Sequence, residues 1–435
     1  MKSSVSFHTL GCRLNQAETA SIENSFESKG YSVVDHNETS DIVVINTCTV
    51  TANGDADTRR LVHKIARRNP NARIALVGCQ AQVQKEKLAA LPNVRWVVGN
   101  QRKMDLADVL GEHPNPSEVQ VITPAIDRKP FTLPVAAIDR SHIRANIKIQ
   151  DGCDFFCSFC EIPYARGRAR SRIFDDIVLE ARALAAAGHK EIILTGINIG
   201  TYENGGKGLL DVILALEKIE EIKRIRISSI EPTTIPTEIA GLMGEGRKLC
   251  RYLHIPLQSG HDDILTAMKR KYSVEEFSAF VRSIRAQVPG ICIGTDVIVG
   301  FPGETDAHFA MTESLLQELP IDYFHIFSYS PRHMAKSNAL DQSVSSAKIS
   351  MRSQILRDLS GRKRRLFNES LIGSVQTVIF EEQKEDYWIG FTDNYVKIQL
   401  KTQEKLTGQM CTVRLICVDG QYVRAKMYEV QAKNS

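Results

Sequence analysis

The chain has no run of about 18 uncharged apolar residues, which excludes a membrane-spanning helix of ordinary length. Its opening, Met1-Lys2-Ser3-Ser4, carries no apolar signal-peptide core and leads into strand-like sequence, so a cytoplasmic protein is expected. Net charge is only +4 over 435 residues, too little for overall electrostatics to argue for nucleic acid. Ten cysteines without a secretion signal point to metal or redox chemistry and away from a disulfide framework.

What is present describes an ordinary globular protein. Hydrophobic residues make up 43% and charged residues 24%, enough apolar material for a core, and the length calls for two or three domains. Positive charge falls in four clusters: Arg59, Arg60, Lys64, Arg67 and Arg68; Arg166, Arg168, Arg170 and Arg172; Lys269-Arg270-Lys271; and Arg362-Lys363-Arg364-Arg365. One such cluster is ordinarily a solvated face, whereas four on a nearly neutral chain suggest a partitioned binding surface.

The most informative segment is Cys153-Asp154-Phe155-Phe156-Cys157-Ser158-Phe159-Cys160. Three thiolates in one short loop complete neither a tetrahedral nor a cubane centre, so a coordination position stays open. Structural zinc usually closes with four ligands from two separated pairs, and no second pair follows at that distance. Thiolates with an open iron favour an iron-sulfur cluster, with zinc and adventitious clustering as the alternatives.

The first 125 residues repeat one pattern. Apolar runs at 5–10, 41–46 and 73–77 each lead through glycine or threonine to Cys12, Cys48 and Cys79, with helix-compatible sequence at 17–29 and 58–68. The alternation predicts a parallel sheet flanked by helices, whose strand-end loops share one edge. Burial explains any one of these cysteines, but the shared position after a strand suggests ligands of a second cluster. Cys250, Cys292, Cys411 and Cys417 lie in apolar runs without partners and are expected in the core.

From residue 145, strand patterns at 147–150, 191–195, 224–229, 252–256, 291–299 and 323–328 alternate with helical stretches at 175–187, 209–221, 274–287 and 307–319. Six units predict a partial (β/α) barrel with its chemistry at the C-terminal mouth. Gly196 and Asn198, Ser229 and Glu231, Gln258, and Gly300 all follow strands there, a set suited to a nucleoside-sized ligand. After residue 371, short alternating strands with Asp-Gly and Thr-Gly turns predict a small β-barrel. Its Tyr387, Trp388, Phe391 and Tyr395 either stack on bases or fill the core, with the core favoured for Phe391 and Tyr395.

The cysteine loop and its continuation Glu161-Ile162-Pro163-Tyr164-Ala165-Arg166-Gly167 resemble the signature of radical SAM enzymes. The segments 8–19, 44–51, 148–153, 254–260, 268–272 and 296–304 resemble the methylthiotransferase family of those enzymes over essentially the whole chain. Residues 226–231 and 392–395 are most similar to the branch acting on threonylcarbamoyladenosine beside the tRNA anticodon.

The resemblance implies an α/β fold in three parts: an N-terminal sheet domain at 1–125, a radical SAM partial barrel at 136–370, and a TRAM-like RNA-binding barrel at 371–435. It implies a 4Fe-4S cluster on Cys153, Cys157 and Cys160 that cleaves SAM to a 5′-deoxyadenosyl radical. A second 4Fe-4S cluster on Cys12, Cys48 and Cys79 would present a methylated sulfur to carbon 2 of the adenine. Glu231, Gln258 and Arg270 are candidate SAM or substrate contacts, and the reaction needs no conventional catalytic dyad. The implied partners are the tRNA anticodon stem-loop and a reductant such as flavodoxin or ferredoxin, with a monomer expected.

Two places depart from the family pattern: Glu161 replaces an aliphatic residue, and 331–336 lacks the usual glycine-threonine-proline. Competing functions are methylthiolation of isopentenyl-adenosine or of a ribosomal-protein aspartate, a non-catalytic RNA-binding iron-sulfur protein, and a structural zinc protein.

Overall fold

The computed structural model describes residues 3–133, 143–244 and 246–428, so the expected boundary at 136 and the final residues to 435 lie outside it. The N-terminal sheet is built from β1 (Ser4–Thr9), β2 (Ser32–Val33), β3 (Ile42–Thr47), β4 (Arg73–Gly78), β5 (Val94–Val98) and β6 (Gln120–Ile122). They pair in the order β2-β1-β3-β4-β5-β6, all parallel, a doubly wound arrangement. Because both faces are covered by helices, β3 is apolar throughout its first four residues and buried along its length.

Helix α1 (Arg13–Ser28) begins directly after Cys12, earlier than expected, and α2 (Ala52–Arg68) begins six residues earlier than the apolar pattern indicates. Asn53 and Gly54 are poor helix formers, yet Thr51 caps α2 by accepting from Gly54 N at 3.2 Å. Cys79 opens the short helix α3 (Cys79–Val83) and is not a loop residue.

The central strands are β7 (Arg144–Lys148), β8 (Glu191–Thr195), β9 (Arg224–Ile227), β10 (Tyr252–His254), β11 (Cys292–Val299) and β12 (Tyr323–Ser328). They form two parallel three-stranded sheets, β9-β8-β7 and β10-β11-β12. Between β9 and β10 the ladder thins to an Ile225–Leu249 bridge and a hydrogen bond from Ile230 N to His254 O at 3.1 Å. Together they make the expected six-stranded partial barrel.

Alternation along these strands divides their faces. Ala145, Ile147, Ile192, Leu194, Ile225, Ile227, Leu253 and Ile293 join the surrounding helices in one aliphatic core. The opposite register holds Arg144, Lys148, Glu191, Arg224, Arg226, His254 and Asp296, an interior lined with charge.

The C-terminal module closes as the expected small barrel: β13 (Val375–Lys384), β14 (Tyr387–Thr392), β15 (Lys397–Lys401), β16 (Met410–Asp419) and β17 (Tyr422–Met427). Its turn after β14 plugs the floor of the central barrel. Arg226 donates to Asp393 O (2.8 Å) and Thr392 O (3.1 Å), Arg224 to Phe391 O (2.9 Å), and Arg251 pairs with Asp393 (2.7 Å). Burial opposes ionisation of Glu191, yet Arg226 and Arg144 hold its carboxyl down at about 2.

Phe391 and Tyr395 stack on each other, with Arg144 4.4 Å above the Phe391 ring and Arg226 5.1 Å above Tyr395. These two aromatics therefore seal an interface between barrels and are not displayed for bases. Trp388 is buried in the small barrel, and Tyr387 alone of the four lies in a surface recess with Lys401, Arg424 and Lys426.

Two further expectations are corrected. Cys250 and Cys292 are buried and Cys411 packs half-buried against the small-barrel core, but Cys417 is exposed, because a bulge between Leu415 and Cys417 shifts the register of β16. Of the four basic clusters, only that on α2 is exposed throughout. Arg166, Arg172 and the Arg270 side chain are buried, and Lys363 and Arg364 bind backbone carbonyls.

Candidate functional site

Strands β1, β3 and β4 are neighbours, so Cys12, Cys48 and Cys79 emerge side by side at one sheet edge. Gly11 has φ +97°, and a Cβ there would lie 2.7 Å from both Cβ and Sγ of Cys48; only glycine permits this approach. Asn15 ties the loops together, donating to Leu10 O at 2.7 Å and Thr47 O at 3.2 Å. Burial pushes the half-buried Cys48 thiol up to about 11, and neighbouring Cys79 adds to the shift.

Behind this triad lies a buried polar network. Arg166 donates from Nε to Cys79 Sγ at 3.1 Å, from Nη1 to Glu18 at 2.9 Å and Asp151 at 3.0 Å, and from Nη2 to Asn15 at 2.7 Å. Lys148 reaches Glu18 (2.7 Å) and Asp151 (2.6 Å), and Lys103 also pairs with Glu18. Burial, with Arg166 alongside, lowers Lys103 to about 8.

Three buried cations, with Arg170 at the margin 3.3 Å from Asp151, thus face two buried carboxylates, an excess of positive charge that is costly unless an anion is adjacent. Metal-bound thiolates beside Arg166 supply that anion, so these residues fit a cluster on Cys12, Cys48 and Cys79.

The second triad sits at the mouth of β7. Gly152 has φ +72°, and a Cβ there would meet Arg168 O at 2.0 Å, so the loop closes tightly only with glycine. Backbone amides point at sulfur: Phe155 N lies 3.5 Å from Cys153 Sγ, and Ile162 N lies 3.4 Å from Cys160 Sγ. Arg270 donates to Cys157 Sγ at 3.2 Å and to Tyr272 OH at 3.1 Å, and pairs with Glu231. Burial raises all three thiols, Cys153 to about 11. Amide and guanidinium donors converging on three cysteines fit thiolate ligation here as well.

The expected nucleoside contacts separate into two groups. Arg270 touches Cys157 and pairs with Glu231, Asn198 joins Glu231 through Thr234, and Gln258 lines a cavity shared with Phe159. Thr234 links two of them, donating to Asn198 Oδ1 (2.9 Å) and Glu231 O (3.0 Å). Asn198 Nδ2 is buried without a partner, a donor free for a ligand. Gln258 takes φ +69° and lines the adjoining cavity.

Ser229 is half-buried after β9. The two glycines are required by packing. A Cβ at Gly300 would meet Ile349 at 2.3 Å, and one at Gly196 would meet Ile199 at 2.8 Å.

Between the triads lies a cavity of about 160 Å³ lined by Val50 and Thr51, just past Cys48, by Phe159 of the cysteine loop, and by Gln258, Asp296 and Arg332. Asp296 accepts from His254 Nε2 at 2.9 Å and lies 3.3 Å from His325 Nδ1. The sequence motifs assigned no role to Glu18, Asp151, His254, His325 or Arg332. For the two histidines the inward register of β10 and β12 is the signal; for Glu18 and Arg332 nothing local marks the contact.

Comparison with known proteins agrees with this geometry. Residues 147–316 match the Radical SAM superfamily, and residues 4–99 match the Uncharacterized protein family UPF0004. The threonylcarbamoyladenosine tRNA methylthiotransferase MtaB of Bacillus subtilis (strain 168) is 35% identical over 98% of both chains. That of Aquifex aeolicus (strain VF5) is 38% identical over 91% of this chain and 96% of its own.

Among solved structures, the radical S-adenosylmethionine methyltransferase TsrM from Kitasatospora setae superimposes with a TM-score of 0.56 at 15% identity. The match covers 76% of this chain and 74% of TsrM, a likeness of fold alone. With one cysteine group at a radical SAM barrel mouth, a second on a flanking parallel sheet, and full-length likeness to such enzymes, the chain belongs to the radical SAM methylthiotransferases.

Proposed function

We propose that this enzyme converts threonylcarbamoyladenosine at position 37 of tRNA, next to the anticodon, to its 2-methylthio derivative. The observation that carries this reading is the cavity walled on one side by the residues after Cys48 and on another by Phe159 between Cys157 and Cys160. A base held there is within reach of both cysteine groups.

In this reading Cys153, Cys157 and Cys160 hold one 4Fe-4S cluster, and Cys12, Cys48 and Cys79 hold the other. Together with SAM these groups supply the one-electron cleavage and the transferable sulfur. The protein's own residues bind and orient. Arg270 steadies the Cys157 thiolate, Arg166 steadies that of Cys79, and Asn198, Ser229, Glu231 and Gln258 offer polar atoms to SAM.

Gly196 and Gly300 keep the loops around that site compact. Domains at 1–125, 136–370 and 371–435 divide sulfur supply, radical chemistry and RNA holding. Tyr387 with Lys401, Arg424 and Lys426 is the face of the small barrel suited to RNA.

The enzyme acts in the cytoplasm as a monomer, with a flavodoxin or ferredoxin as reductant. No helix among the described residues is long and apolar enough to cross a membrane. Mass spectrometry of tRNA nucleosides from a strain lacking the gene tests the assignment. The 2-methylthio-threonylcarbamoyl nucleoside should vanish, its unmodified precursor accumulate, and a plasmid copy restore it. Loss of a 2-methylthio-isopentenyl nucleoside instead would transfer the enzyme to the other tRNA substrate.

A further inference from the structure

Glu161 follows Cys160 and is buried with 3% exposure. A carboxylate in that position needs partners, and it has them on two other segments. Oε2 accepts from Thr49 Oγ1 at 3.0 Å and from Arg332 Nε at 3.3 Å, and Oε1 accepts from Met334 N at 2.7 Å.

Thr49 is the residue after Cys48. Arg332 in turn donates from Nη2 to Thr49 Oγ1 at 2.8 Å and to Asp55 Oδ2 at 2.7 Å. Asp55 also accepts from Gln84 Nε2 at 2.8 Å. Glu161 and the 331–336 stretch, far apart in the chain, are therefore partners in space.

From this geometry we propose that Glu161 is a positioning residue that locks the Cys160 loop to the Cys48 loop through Thr49, Arg332 and Met334. It thereby keeps radical formation and sulfur transfer in register. The joint is three-sided: the cysteine loop of the central barrel, the loop after β3, and the segment after β12. Arg332 also walls the cavity between the two triads, so a shift of the joint moves a wall of the substrate site. An aliphatic side chain at 161 offers no acceptor, and Met334 N and Arg332 Nε would lose their partner in a buried site. Small displacements between reacting centres cost rate steeply.

The role in transfer rests on the methylthiotransferase reading, but the joint can be read without it. In the metal-free full-length chain, Glu161→Ile should speed amide hydrogen exchange at 48–55 about tenfold, whereas Glu161→Gln, which keeps an acceptor for Met334 N, should change it less than about threefold. In the reconstituted protein, Glu161→Ile should keep its iron and sulfide and still cleave SAM. Its yield of methylthio nucleoside per 5′-deoxyadenosine should fall about tenfold, with Glu161→Gln restoring most of it.

Unchanged exchange overturns the proposal, as does altered exchange with an unchanged yield ratio. Loss of iron from Glu161→Ile also overturns it, because the residue would then only support cluster ligation. If the unaltered enzyme forms no methylthio nucleoside, the functional reading fails and the exchange measurement alone decides the joint.

Discussion

Cys153, Cys157 and Cys160 share one loop, whereas Cys12, Cys48 and Cys79 are delivered by three neighbouring parallel strands. Each group receives one guanidinium on sulfur, Arg270 at Cys157 and Arg166 at Cys79. The surroundings differ. Arg270 is neutralised by a single carboxylate, Glu231, whose side chain is 17% exposed. Arg166 belongs to a buried set in which cations outnumber carboxylates. A loop of closely spaced cysteines can fold around its metal with modest support, while cysteines gathered from distant strands need a rigid, charge-matched foundation.

Cysteine substitutions should divide the two groups most sharply. Cys153→Ala is expected to abolish both 5′-deoxyadenosine and methylthio product. Cys79→Ala should abolish product while SAM cleavage persists, each variant retaining about four irons per chain. Iron and sulfide assay with chromatography of both products checks this, and SAM cleavage lost equally in the two would erase the division of labour.

The foundations should differ in stability. Arg166→Leu removes buried hydrogen bonds to Asn15, Glu18 and Asp151, although Lys103 and Lys148 still pair with the two carboxylates, and should cost about 2–3 kcal/mol in denaturant unfolding of the metal-free chain. Arg270→Leu, beside a partly hydrated Glu231, should cost about 1–2 kcal/mol. Equal costs would show that the two sites rest on similar supports.

The smallest effect is expected where aromatics have structural work. Tyr395→Phe removes a hydroxyl that accepts from Arg13 at 2.6 Å and should cost about 1 kcal/mol in stability with RNA affinity unchanged. Filter binding to an anticodon stem-loop checks this; a clear loss of affinity would return Tyr395 to the RNA face.

Much of the fold is legible locally. The helix at Val274–Gln287 lies where the apolar period predicts it, with its Ser273–Glu276 capping box, and β8 spans the predicted Glu191–Thr195. Legibility fails where a local rule is outweighed. Asn53 and Gly54 conceal the first turn of α2, and the bulge in β16 turns Cys417 outward. No local pattern shows that the glycines at 196 and 300 make room for Ile199 and Ile349. Three of four basic clusters suggest surface, yet supply buried or interface cations.

The close spacing of the cysteine loop and the alternation of strand and helix are legible along the chain, because both depend on a few neighbouring residues. The sequence also places Cys12, Cys48 and Cys79 at equivalent strand ends, since a parallel sheet repeats its geometry. What surrounds them is a product of folding. The partners of a buried charge come from segments far apart in the chain: Glu18 with Arg166, Tyr395 with Arg13, and Glu161 with Thr49 and Arg332. Those pairings follow from packing and desolvation, which no local spacing records.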